Sequence, residues 1–298
     1  MNLKYLVDNE SSGKTVKYIL KIKMELSERL TKKLKYDCKI LKNASPAHIN
    51  DTVYSGDLIE VYIDFIEECD DIIPEDLGID IIYEDESLIA VNKQPGIVVH
   101  PTSSHLTGTI ANGVMYHFKQ QGIHKKIRPV SRLDRDTTGV IIFAKNQFVQ
   151  EALIKQMNDK SFEKEYIGVV HGNMEENKGT IDLPIERKPG SIMLRHTSPT
   201  GSPSMTHYEV LEQFHNASFL KFILETGRTH QIRVHCQAIG HPLIGDTLYP
   251  GDYTTDHISR QALHSRKVSF THPTLKNSLI IEAPIPPDIN KLLEILKK

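Results

Sequence analysis

Between residues 51 and 86 the chain carries fourteen Asp/Glu and not a single Lys or Arg. Within that run, residues 67–80 have the composition of a solvated linker rather than of a core (Glu67, Glu68, Asp70, Asp71, Pro74, Glu75, Asp76). The acidic stretch therefore divides the sequence. Ahead of it, residues 11–42 hold ten Lys/Arg against three Asp/Glu. Behind it, residues 87–298 return to a net charge near +6 and contain fourteen of the fifteen histidines. The overall charge of −2 conceals this alternation. Two basic regions suit a polyphosphate partner, because each neutralised phosphate releases counterions. A solvated lysine-rich helix face is the plainer reading of the same charges.

The 298 residues suffice for one large domain and one small one. No run of about 18 apolar residues is present, so no membrane span is expected. The polar start, Met1 to Glu10, lacks the apolar centre of a signal peptide. Cys38, Cys69 and Cys236 are far apart and odd in number. They argue for a reduced, cytoplasmic setting and against a disulfide framework or a zinc module. A monomer is expected.

Residues 12–66 read as a small basic unit of two helices and a small sheet. Val16, Ile19, Leu20, Ile22 and Met24 mark a first helix. Ser27 is placed to cap a second, over 28–36, that clusters Lys32, Lys33 and Lys35. Strands are expected at Cys38–Leu41, Ala47–Asn50 and Leu58–Ile63, with a turn at Ser55-Gly56-Asp57. Residues 81–298 mix strands and helices. Ile81–Tyr83 and Leu88–Asn92 suggest a hairpin, and Val140–Ala144, Tyr166–Val170 and Phe219–Leu224 suggest strands. Helices are expected at Phe148–Met157 and over 229–239, the latter stopped by Gly240 and Pro242.

Three polar clusters could carry chemistry. In Ser131-Arg132-Leu133-Asp134-Arg135-Asp136-Thr137-Thr138-Gly139, a carboxylate lies between two arginines just ahead of an apolar strand. The same residues could form an ordinary charged turn, and Asp134 with Asp136 could be read as a metal pair, although no third ligand is apparent. In Thr226-Gly227-Arg228-Thr229-His230-Gln231-Ile232-Arg233-Val234-His235, two arginines surround a helix N-terminus, the end already rich in partial positive charge. They gain most if an anion sits between them, either a phosphate or a buried carboxylate. Alternatively, one of them merely covers the helix with its stem. His230 and His235 are five apart, which does not stack them on one face as metal ligands. The third cluster, Lys164-Glu165-Tyr166, opens a strand with a tyrosine that could equally be a core aromatic.

In this order the clusters resemble the RluA-type family of pseudouridine synthases. Ile81–Pro101 (IIYEDESLIAVNKQPGIVVHP), Arg132–Gly139 (RLDRDTTG), Lys164–Tyr166, Thr226–His235 (TGRTHQIRVH), Gly240–Tyr249 (GHPLIGDTLY) and Leu263-His264-Ser265 carry the resemblance. It implies an α+β fold over 81–298, with a mixed, mainly antiparallel central sheet flanked by helices. Residues 12–66 resemble more loosely the αL-type RNA-binding module of a ribosomal small-subunit protein. Ser131, where many members have histidine, and the order Lys93-Gln94-Pro95 depart from the family pattern.

The resemblance further implies that uridines in structured RNA are isomerised without cofactor or metal. Large-subunit ribosomal RNA is the preferred partner and transfer RNA the alternative. Asp134 matches the aspartate needed to break the bond between sugar and uracil nitrogen. Arg233 matches the arginine paired with it, and Tyr166 the tyrosine stacked on the target base. Ile232 matches an apolar wall under the base, and Arg132 a residue that fills the space of an extruded nucleotide. Arg135, Arg228, His230 and Lys93, with Lys32, Lys33 and Lys35 of the first unit, are the expected RNA contacts. A non-catalytic RNA-binding assembly factor on the same fold is the rival reading.

Overall fold

The computed structural model describes the chain except residues 68, 70, 103–104 and 252–256. Glu68 and Asp70 of the expected linker thus lie outside the described residues. The first unit begins earlier than residue 12. Strand β1 (Asn2–Leu6) pairs with β4 (Leu58–Tyr62), which also takes β2 (Ile40–Lys42), and β2 takes β3 (Ser45–Pro46). All these pairs are antiparallel. Helix α1 (Val16–Tyr18) runs straight into a π-helical turn, Ile19–Lys23. Helix α2 (Glu28–Tyr36) starts where the Ser27 hydroxyl accepts the Leu30 N–H, as the capping residue predicts. The strand expected at Ala47–Asn50 does not form: the ladder with β2 ends once the Ala47 N–H reaches the Ile40 carbonyl, and Asp51 Oδ2 bends the chain by accepting the His48 N–H.

The acidic stretch is not a free spacer. Glu67 pairs with Arg128 at 2.7 Å and Lys33 at 3.6 Å, Ile72 is buried, and Glu75 Oε2 accepts the Gly108 N–H at 2.6 Å. Composition gives the charges but not their partners, which are contributed by distant segments.

The second unit runs through β5 (Ile81–Glu84), β6 (Leu88–Lys93), α3 (Ile110–Gln120), β7 (Arg128–Pro129), β8 (Thr138–Ala144) and α4 (Gln147–Asn158). It continues with β9 (Glu163–His171), β10 (Lys178–Asp182), a small hairpin of β11 (Ile185–Arg187) and β12 (Arg195–Thr197), β13 (Met205–Gln213) and β14 (Ala217–Leu224). Helix α5 (Gln231–Ala238), β15 (Leu263–Thr271), β16 (Ser278–Glu282) and α6 (Pro287–Leu296) complete it. Ten strands among the described residues form one sheet in the order β10-β13-β14-β9-β15-β8-β6-β5, with β16 on β15 and β7 on β8. Every pair is antiparallel except β15 with β8. The fold is thus α+β with a mixed, mainly antiparallel sheet.

Strands β6 and β8 are buried along their whole length, which is why they read as continuous apolar runs. Alternate residues serve two layers. Leu88, Ala90, Val140 and Ile142 pack with Phe148, Val149 and Leu153 of α4, in a core that also includes Leu30, Ile63 and Phe65 of the first unit. Ile89, Val91, Ile141 and Phe143 pack on Ile110, Val114 and Phe118 of α3. On the other half of the sheet, Tyr166, Val170 and Phe222 meet Ile232 and Cys236 of α5, while Ile167 and Val169 meet Ile289 and Leu292 of α6.

The parallel joint sets the site. It aligns His264 with Thr138 and Ser265 with Gly139, so the segment before β15 lies against the loop before β8. Gly139 has φ +108°, and a methyl group there would overlap the Ser265 carbonyl oxygen.

Candidate active site

The loop carrying Asp134 is held from beneath by buried donors. Lys93 is fully buried, and its ammonium donates to the carbonyls of Gln94 (2.9 Å), Ile97 (2.8 Å) and Arg135 (2.6 Å). Three acceptors match the three N–H groups of the charged form, against a burial that pulls the amine down to about 7. Arg260 grips Asp288 with Nε and Nη2 and gives Nη1 to the Asp136 carbonyl at 3.1 Å. Gln261 Nε2 reaches Thr137 Oγ1 at 3.1 Å. Three side chains from two remote segments thus fix the backbone on which Asp134 stands.

The Asp134 carboxylate is a quarter exposed and opens into a cleft of about 790 Å³. Its Oδ2 receives Arg233 Nη1 at 3.3 Å, and His230 Nε2 lies 3.9 Å from Oδ1. Arg233 is itself anchored by Asp246, a wholly buried carboxylate, through Nε at 2.7 Å and Nη2 at 2.8 Å. Asp246 Oδ1 also accepts the N–H groups of Leu248 and Tyr249, each at 3.0 Å. The anion sought for an arginine at the start of α5 is therefore a pair of carboxylates, one buried and one facing the cleft. Burial alone would depress the guanidinium, and these two carboxylates reverse that and raise its pKa.

Tyr166 on β9, Ile232 on α5 and Leu263 line the same cleft. Burial raises the Tyr166 phenol well above its ordinary value, and the Asp134 charge adds to this, while a hydrogen bond with Ser265 opposes it. Ile232 is buried and gives the cleft an apolar wall. Arg132 stands exposed at the rim with Nη2 3.5 Å from Thr229 Oγ1, and Arg228 gives Nε to the Pro203 carbonyl at 3.2 Å. Lys164 also lines the cleft, and burial lowers its ammonium pKa. Of the acids there, Glu225 is taken by Lys160 at 2.5 Å and His207 at 2.8 Å. Arg132, Arg228 and Lys164 leave the cleft predominantly basic.

Some expected contacts are placed differently. Lys93 is buried, with its ammonium spent on three backbone carbonyls, and is not among the residues lining the cleft. Lys33 lies over the Phe65 ring at 3.8 Å and beside Glu67, so its charge is used within the protein. Lys32 is exposed and pairs with Glu28 one turn away at 3.7 Å, and Lys35 is exposed. Arg135 turns its guanidinium to Asp136 at 3.0 Å, outside the cleft lining. Among the described residues no cluster of three or more His, Cys, Asp or Glu is gathered as a metal site. Asp246, Tyr249, Arg260 and Gln261 were not singled out from the sequence. Asp246 and Tyr249 stand in GHPLIGDTLY, and Arg260 and Gln261 just before Leu263-His264-Ser265, but spacing alone does not reveal whom they serve.

Known proteins share sequence and fold with this chain. The RNA pseudouridylate synthase family matches residues 87–238, which include the clamped loop, Tyr166 and α5. The chain is 38% identical over 270 residues to an uncharacterized RNA pseudouridine synthase, YjbO, of Bacillus subtilis, covering 90% of this chain and 95% of that one. It is 38% identical over 299 residues to ribosomal large subunit pseudouridine synthase D of Buchnera aphidicola, covering 95% and 94%. The fold is that of human RNA pseudouridylate synthase domain containing 4, with a TM-score of 0.61 at 21% identity over 73% of this chain and 93% of that one. Similar to such relatives along nearly its whole length, the chain belongs to the RluA-type RNA pseudouridylate synthase family and isomerises uridine in RNA.

Proposed function

We propose that this protein converts specific uridines of large-subunit ribosomal RNA to pseudouridine, with Asp134 as the essential carboxylate. The observation that carries the reading is the Asp134–Arg233–Asp246 array opening into a basic, partly apolar cleft. The similarity to large subunit pseudouridine synthase D supports the choice of RNA. The reaction breaks the bond from C1′ to N1 and forms one from C1′ to C5. The proton lost at C5 is matched by one gained at N1, so composition is unchanged.

The target base must leave its stack, at a cost of a few kcal/mol. Tyr166 and Ile232 receive it between a phenol and an aliphatic wall, where stacking contributes about 1–3 kcal/mol. Arg132 takes the space it vacates, and Arg228 holds flanking phosphate. Asp134 works on the sugar–base bond while Arg233 keeps the carboxylate aimed. Arg135, with Lys32 and Lys35 on the first unit, extends the RNA surface.

Asp134→Asn keeps the shape of the side chain and removes its charge. It is expected to abolish tritium release from RNA labelled at uridine C5 while leaving RNA affinity within about threefold, because phosphate contacts dominate binding. Release at the wild-type rate would refute the role of Asp134. Pseudouridine mapping across all RNA, with and without the gene, tests the substrate. Lost sites in large-subunit ribosomal RNA support the reading, and losses confined to transfer RNA overturn it.

A further inference from the structure

His230 occupies the position that caps α5, yet it does not act as a cap. Serine, threonine, aspartate or asparagine is favoured there because a short side chain satisfies an orphan N–H. His230 makes no such bond, and Gln231 Oε1 accepts the Arg228 N–H and the Thr226 hydroxyl instead. The His230 backbone is left-handed, at φ 59° and ψ 20°, a conformation that costs any side chain but glycine free energy. Strain of this kind collects at sites where a side chain must be aimed. Here the imidazole is aimed into the cleft of Asp134.

Its protonation state follows from its partners. Nδ1 lies 2.9 Å from the Tyr249 hydroxyl, and that oxygen already accepts the Arg195 N–H at 2.9 Å. Tyr249 is buried, edge-on to the imidazole and beneath the Arg233 guanidinium. If Nδ1 carried the proton, the Tyr249 hydroxyl hydrogen would be buried without an acceptor. The hydroxyl therefore donates to Nδ1, and the ring proton sits on Nε2. Burial lowers the His230 pKa and favours the neutral ring, with Asp134 and Asp246 opposing and Arg233 and Arg195 reinforcing.

The two oxygens of Asp134 then face different donors. Oδ2 takes Arg233 Nη1 at 3.3 Å, and Oδ1 faces His230 Nε2–H at 3.9 Å. We propose that His230 is a positioning residue for Asp134, a neutral donor with its tautomer set by Tyr249 that closes on Oδ1 when the cleft fills and holds the carboxylate in one rotamer. Contacts of this sort commonly lengthen in empty sites and tighten around a substrate. The assignment rests on Asp134 as the essential carboxylate.

Glycine separates a positioning role from a structural one, since it removes the imidazole and relieves the left-handed strain. The test uses the full chain and RNA labelled with tritium at uridine C5, taken from cells lacking the protein. His230→Gly is expected to lower the single-turnover rate by about 10- to 100-fold, the range typical of a lost orienting partner. RNA affinity should stay within about twofold, and the unfolding temperature should shift by only a few degrees, because relief of the left-handed backbone offsets the hydrogen bond that the Tyr249 hydroxyl loses. His230→Gln, which restores an N–H donor, should recover part of the rate. In 15N spectra the His230 signal, identified by its loss in His230→Gly, should show an unprotonated Nδ1, and Tyr249→Phe should abolish that preference. A wild-type rate in His230→Gly, or a loss seen only as weaker RNA binding, overturns the proposal, as does a protonated Nδ1. Activity in Asp134→Asn would instead remove the reading beneath it, so the two failures are distinct.

Discussion

Asp246 holds Arg233 by two hydrogen bonds while its own side chain is completely buried, so its charge has no recourse to water. Breaking such a pair leaves a buried cation with only the longer contact to Asp134 at 3.3 Å, at a cost of about 3–5 kcal/mol. Asp246→Asn is therefore expected to lower unfolding free energy by about 3 kcal/mol. It should also reduce single-turnover activity by at least about 100-fold, because an unanchored Arg233 no longer aims Asp134. Urea denaturation and tritium release read the two effects separately, and wild-type values in both would show that the anchor is dispensable. At this scale the sequence was informative about Asp134, Tyr166, Ile232 and Arg233, which are brought to one cleft. It was silent on Asp246, since an aspartate after glycine in a loop looks like any turn residue until its partner, thirteen positions back, is known. Lys93 shows the converse, because a lysine beside a Pro-Gly turn looks like a surface cation and is instead a buried clamp.

The joint between β8 and β15 is the element on which the site depends. Gly139 allows the two backbones to approach at the register that sets Ser265 beside it and His264 beside Thr138. A β-carbon there meets a backbone carbonyl, which cannot move aside as a flexible side chain could, and φ +108° is strained for any other residue. Gly139→Ala is expected to cost about 3 kcal/mol or more and to lower soluble yield, as substitutions with both steric and backbone conflict do. A urea midpoint equal to that of the wild type would show that the joint can relax. Helix α2 was legible from the Ser27 cap and its periodicity, whereas α3 was missed although Thr109 caps it and Ile110, Val114 and Phe118 mark its buried face. Helix α5 was legible in extent, although the residue in its capping position is an aimed histidine that makes no cap bond. The strand order was not legible, because a parallel joint between strands more than a hundred residues apart leaves no mark on local periodicity.

The two units share one interior. Leu30, Ile63 and Phe65 of the first join Phe148 and Leu153 of α4, and Lys155 pairs with Glu25 at 2.6 Å. Deleting the first unit would therefore expose the apolar face of α4, and charge reversal is the cleaner test of its RNA contacts. Lys32→Glu with Lys35→Glu is expected to weaken binding to long ribosomal RNA at least about tenfold and to flatten its salt dependence by about two contacts. Turnover of a short substrate should be unchanged. Equal affinity at every salt concentration would exclude this surface from binding. Buried histidines also couple the whole molecule to pH. His264, wholly buried between Thr138 and the Ala283 carbonyl, is pushed down by burial from an ordinary 6.5 to about 4. Between those values the unfolded chain binds a proton that the folded protein refuses, so stability falls as pH drops through the window. The loss attributable to His264 is about 3 kcal/mol by pH 4, with His171 and His235 acting in the same direction. Denaturant midpoints at pH 7, 5.5 and 4.5 should decline in that order, and a flat profile would contradict it.

The sequence by itself determined the local chemistry: capped helices, buried strands, and the loop, tyrosine and arginine that mark a pseudouridine synthase. The helices and strands depend on neighbours within a few positions, which is the range over which periodicity and capping act, whereas the loop, tyrosine and arginine are recognised by their resemblance to a family pattern. Only the tertiary structure decided that Lys93, Arg260 and Gln261 clamp the Asp134 loop, that Asp246 anchors Arg233, and that Tyr249 sets the proton on His230. Each of these is a hydrogen bond between residues remote in the chain. Burial makes it strong, and burial is a property of the folded whole.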